Sequence, residues 1–133
     1  MKNSNFKKNS LQSYKFDKIL EVKQYDKSKF VNSFTVNGLE SWIDRDTRVS
    51  LVNSTNSCLK LGQTVTSLWL NGNKIELDCE SLLGMLAQLE IYALNCYNVT
   101  EQHKANIQKL EDLESITSYD YKSGYPEKLV FNV

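Results

Sequence analysis

The chain has 133 residues, enough for one domain with a hydrophobic core that needs no disulfide or metal to hold it. Hydrophobic residues make up 41% and charged residues 24%, as in an ordinary globular protein, and the absence of any run of about 18 apolar residues excludes a transmembrane helix. Sixteen basic residues balance sixteen acidic ones, so the chain as a whole is neither a polycation nor a polyanion.

That balance hides an asymmetry. Residues 1–33 hold eight lysines against Asp17, Glu21 and Asp26, a net of +5, whereas residues 34–133 hold eight basic against thirteen acidic side chains, a net of −5. Polarity of this kind points to partners. The opening MKNSNFKKNS is basic but leads into no apolar run, so it is not read as a secretory signal. Residues 1–33 are rich in Lys, Asn and Ser, lack Gly and Pro, and carry scattered aromatics that a disordered segment would not have. They read as a basic N-terminal arm that becomes ordered against a partner, with Phe6, Lys7, Lys8, Tyr14, Lys15, Phe16 and Tyr25 as its contact residues. SYKFDKILEVKQYD is compatible with a strand or a short helix, and its pattern does not decide between them.

A compact domain is expected over residues 34–133. FTVNGLESWI alternates around Asn37-Gly38, which predicts a tight hairpin. DRDTRVSLVNSTNSCLKLG follows, where Val49, Val52, Leu59 and Leu61 with Leu51, Thr55 and Cys58 predict a helix over about 45–61, ended by Gly62. Val65, Leu68, Leu70, Ile75 and Leu77 around Asn71-Gly72 predict a second hairpin. Leu82, Met85/Leu86, Leu89, Ala93, Cys96/Tyr97 and Thr100 then predict a long helix over about 79–110, with Asp78 as its N-cap. A short helix in EDLESITSYD, a turn at Gly124 to Pro126 and a small strand in LVF complete the chain. Strands and helices do not alternate as βαβ units, so the class is α+β, a small antiparallel sheet of hairpins packed on two main helices, with the N-terminal arm.

The residues that could carry chemistry have simpler roles. Asp44 stands just before a helix, where a carboxylate accepts hydrogen bonds from free backbone N–H groups and meets the positive end of the dipole; Asp46 shares that turn. A calcium loop would need further oxygen ligands and a glycine, and Arg45 and Arg48 would repel a cation. Glu111, Asp112 and Glu114 read as capping and solvation of the short helix. His103, the only histidine, lies in a polar helical run and reads as solvated. Cys58, Cys79 and Cys96 have no metal or disulfide spacing and read as small buried thiols. Trp42 and Trp69, in or beside hairpins, read as core aromatics. No phosphate-loop, dinucleotide, zinc-protease or nucleophile-elbow motif occurs, and neither a catalytic site nor a metal nor a cofactor is expected.

From about Val31 onward the chain resembles a family of phage domains of uncharacterised function, found most often at the C-terminal end of tail-fibre and other tail-associated proteins, with a very similar version in Bacteroides-associated phages and prophages. The segments that carry the resemblance are VNSFTVNGLESWIDRDTRVSLVNS, TSLWLNGNKIEL, LEIYALNCYNVTEQHKANI and SYDYKSGYPEKLVF. Within them Asp44, Thr47 and Arg48 match a D-x-x-[ST]-R step, and Trp69 matches a tryptophan of the second hairpin. The resemblance implies a virion structural protein, made in the bacterial host cytoplasm and located in the tail, that contacts other copies of itself and neighbouring tail proteins. With only about thirty residues ahead of the domain, this chain is expected to be a small tail, baseplate or fibre-adaptor component rather than a fibre. The alternatives are a tail-fibre assembly chaperone, or a nucleic-acid-associated protein using the Lys/aromatic arm; the latter is disfavoured because the arm has no arginine and the chain is neutral.

Overall fold

The computed structural model describes the backbone of residues 2–133 and the side chains of residues 10–133. Its elements in chain order are α1 (Lys2–Asp26), β1 (Phe34–Val36), β2 (Leu39–Ser41), α2 (Arg45–Lys60), β3 (Val65–Leu70), β4 (Asn73–Asp78), α3 (Cys79–Gln108), α4 (Leu113–Thr117) and β5 (Val130–Phe131). The class is α+β, as expected. The residues form two compact units, one of Met1–Asn32 with Leu94–Pro126, the other of Ser33–Ala93 with Glu127–Val133.

The second unit holds all the strands. Its two hairpins close through Asn37-Gly38 and Asn71-Gly72, and all four residues have positive φ: 52°, 81°, 48° and 79°. A two-residue loop that follows the right-handed twist of its strands needs that geometry, which Asn and Gly tolerate best. β1 pairs antiparallel with β2 and β3 with β4, the latter in register from Val65↔Asp78 to Leu70↔Asn73. β5 adds to the other edge of β1 in parallel, with Thr35 N–H donating to Leu129 O at 3.0 Å and Asn37 N–H to Phe131 O at 2.8 Å. The three-stranded sheet is therefore mixed, where hairpin signals alone predicted antiparallel pairing throughout. Inward-facing Phe34, Val36, Ile43, Leu68, Leu70, Leu77 and Phe131 pack with Leu82, Met85, Leu86 and Leu89 of α3, and Leu51 and Val52 of α2 close the core. Val49 and Leu61, expected on the buried stripe of α2, are exposed; the stripe that faces the core runs through Leu51, Val52 and Thr55.

The first unit contains the N-terminal segment read as an arm. It is a 25-residue helix, and Val22 on it is fully buried. Leu11, Lys15, Lys18, Val22 and Tyr25 are among its buried or half-buried positions, with Ser10, Ile19 and Asp26 beside them. They recur at spacings of four and three, the seam along which one helix meets others. Its described side chains make contacts within their own chain. Lys15 Nζ donates to the carbonyl of Gln108, the last residue of α3, at 2.8 Å, and Lys18 Nζ to that of Thr117, the last residue of α4, at 3.1 Å. Neither α3 nor α4 has a basic residue in its own last turn. The two lysines supply the positive charge that favours the negative end of a helix dipole.

Candidate functional site

The D-x-x-[ST]-R step forms a structural corner. Asp44 is the N-cap of α2: its Oδ1 accepts from Thr47 N–H at 2.8 Å and its Oδ2 from the Thr47 hydroxyl at 2.9 Å. These bonds, the backbone one foremost, hold the Asp44 carboxyl below the usual carboxylate range. Arg48 Nη1 donates to Ile43 O at 2.7 Å and its Nε to Glu90 Oε1 of α3 at 2.8 Å. Asp112 repeats the cap at α4 with Ser115. Asp78, the last residue of β4, stands immediately before Cys79, the first residue of α3, and its carboxylate accepts from the Ser81 hydroxyl at 2.5 Å. Among the described residues no group of three or more His, Cys, Asp or Glu side chains could hold a metal ion.

His103 is buried, at 8% exposure, rather than solvated. Its Nε2 lies 2.8 Å from Ser123 O, an atom that only accepts, so Nε2 carries the donating proton. Nδ1 is then free to accept from the Tyr119 hydroxyl at 2.7 Å, and the Tyr119 oxygen accepts from Asn106 Nδ2 at 3.0 Å. A parallel chain runs from the Tyr125 hydroxyl to Thr100 Oγ1 at 2.6 Å and from there to Asp26 Oδ1 at 2.7 Å. Burial pushes the Tyr125 phenol above its ordinary value. These two chains pin the 119–125 segment to α3 and α1, a fastening job that uses every polar atom of the histidine. The signal for it was in the sequence, because Cys96, Thr100, His103 and Ile107 continue the four-three spacing of the α3 stripe and all four are buried.

Two surfaces carry exposed aromatic side chains. One is on the hairpin unit. Trp42 and Trp69, expected in the core, are 58% and 64% exposed. The reason is alternation along the chain: Leu68 and Leu70 point inward on either side of Trp69 in β3, and Ser41 and Ile43 are buried on either side of Trp42, which directly follows β2, so each indole falls on the outer face. Leu39 and Val65 are exposed on the same hairpins, and Asn71 Nδ2 donates to Glu40 O at 2.8 Å, joining one hairpin to the other. The other surface is on α1 and the 119–125 segment. Tyr25 stacks on Phe30 and meets Tyr121 and Tyr125 edge-on. Lys18, Lys29 and Lys122 lie 5.7–5.9 Å from the Tyr121, Phe30 and Tyr25 rings. Of the expected arm contacts, Tyr14 and Phe16 are exposed, Tyr25 is half-buried in this ring cluster, and Lys15 is buried on the α3 carbonyl. The side chains of Phe6, Lys7 and Lys8 lie outside the described residues.

No family model, no curated protein and no solved structure matches the chain. Among the described residues no helix is long and apolar enough to cross a membrane.

Proposed function

We propose that this chain is a phage virion structural protein, a small tail, baseplate or fibre-adaptor component that acts through protein–protein contacts with copies of itself and with neighbouring tail proteins. The observation that carries the reading is the pair of outward indoles, Trp42 and Trp69, on the two joined hairpins. Tryptophan is the side chain most enriched where protein interfaces concentrate their energy, and an indole held on a closed hairpin loses little freedom on binding. The resemblance of four segments to tail-associated domains supplies the setting, and a symmetric tail would use one such patch many times. The test is quantitative mass spectrometry of purified virions against the major capsid protein. A fixed small multiple per particle is expected. Replacing Trp42 and Trp69 with Ser should abolish incorporation while leaving the melting temperature nearly unchanged, since neither indole is in the core. Absence of the native chain from particles that contain the other tail proteins would overturn the structural reading in favour of an assembly chaperone.

A second reading draws on the lysines over Tyr25, Phe30 and Tyr121, a combination that suits single-stranded nucleic acid. It requires binding to mixed DNA or RNA that weakens steeply with salt; no shift at low salt would end it.

A further inference from the structure

The second unit brings two of the three cysteines to one place. Cys58 lies in the last turn of α2 and Cys79 is the first residue of α3. Both are held on the same short connection. Gln63 N–H donates to Cys58 O at 2.9 Å, the Cys79 thiol reaches Gln63 O at 3.6 Å, and Cys79 N–H donates to Thr64 O at 2.8 Å. Burial first, and the neighbouring Cys58 second, push the Cys79 thiol up from its ordinary value. Cys79 is fully buried and Cys58 half-buried, so a small reagent reaches the pair through Cys58.

We propose that Cys58 and Cys79 are a redox pair that closes to a reversible disulfide, joining the end of α2 to the start of α3 around the β3–β4 hairpin that carries Trp69. The oxidant is a low-molecular-weight disulfide. Cys58, as thiolate, attacks one sulfur of oxidised glutathione and releases one molecule of the reduced thiol. The Cys79 sulfur then gives up its proton and attacks the Cys58 sulfur of the mixed disulfide, releasing the second. Two protein thiols are oxidised, one small disulfide is reduced to two thiols, and the two protons end on the glutathione sulfurs. The crosslink would preserve the hairpin once the protein leaves a reducing compartment for an oxidising one. It stands on the geometry of the hairpin unit and does not depend on the virion reading.

The test uses the full native chain, treated with oxidised glutathione, blocked with N-ethylmaleimide and cut with trypsin and a Glu-specific protease. These enzymes separate the three cysteines into peptides 49–60, 77–80 and 91–101. The expected product links 49–60 to 77–80 and leaves Cys96 alkylated. The oxidised chain should melt on the order of 5–10 °C above the reduced one. Cys58→Ser should abolish that rise, and Cys96→Ser should keep it. Recovery of 49–60 and 77–80 as separate alkylated or glutathionylated peptides would overturn the proposal, as would an equal rise in Cys58→Ser.

Discussion

Asp44 shows how one side chain can look like chemistry and serve architecture. Its carboxylate sits one residue before α2 and accepts two bonds from Thr47, while Arg48 turns away to the Ile43 carbonyl and to Glu90. Because these bonds favour the charged form, the folded-state pKa lies below the ordinary 3.8. The sign follows from linkage. Above the ordinary value both folded and unfolded chains hold the ionised group and the full contribution is present; as pH falls through the lowered folded value, the proton is taken up and the contribution is lost. Asp112 behaves the same way at α4 through Ser115. Asp44→Ala should lower the melting temperature by a few degrees at pH 7. Asp44→Asn, which can still cap but cannot titrate, should keep most of it and lose less than the wild type between pH 4 and pH 2.5. Melting curves across that range decide the matter, and an acid limb in Asp44→Asn as steep as in the wild type would refute the assignment.

At the scale of elements, most of the fold was legible because its signals are local. Asn-Gly pairs marked both hairpins, Gly62 at φ 83° marked the end of α2, and the spacing from Leu82 to Thr100 marked α3. What escaped is instructive. α1 has a regular inward seam, but Lys15 and Lys18 occupy two of its positions, so no apolar stripe shows in the sequence. Their aliphatic stems lie along the helix seam while the ammonium groups find carbonyls at the ends of other helices, a fit that only the assembled elements reveal. The tryptophans lie outside the core for a different reason: alternation along the chain, and not hydrophobic type, decides which face each side chain takes. The candidate site was thus visible as residues but not as a surface. The role of Lys15 gives a direct test. Lys15→Met keeps the stem and removes the charge from the Gln108 carbonyl, and should cost about 1 kcal/mol by urea unfolding. Lys15→Ala also opens space along the seam and should cost roughly 2 kcal/mol. No change in either variant would mean that the lysine is an ordinary surface charge.

Across the whole molecule, the charge asymmetry takes a form that the linear sequence overstates. The first unit gathers eleven basic and eight acidic residues, a net of +3, because Leu94–Pro126 brings Glu101, Glu111, Asp112, Glu114 and Asp120 to the basic helix; the second unit carries −3. A basic arm reaching only outward would leave those acids uncompensated within the chain. Instead α1 provides Lys18 for Thr117 O, Lys15 for Gln108 O and Asp26 for the Thr100 hydroxyl, and buries Val22 in the same unit. Removing residues 2–26 therefore takes away structural partners of the C-terminal half of α3. Hydrogen exchange should show amides of residues 94–108 losing protection, while residues 82–89, which pack on the strands through Leu82, Met85, Leu86 and Leu89, keep theirs. A segment that serves only to grip a neighbour predicts the reverse pattern: unchanged exchange throughout the truncated chain, with self-association alone reduced. Measuring both quantities on the same truncated protein separates a helix that completes its own fold from one that waits for a partner.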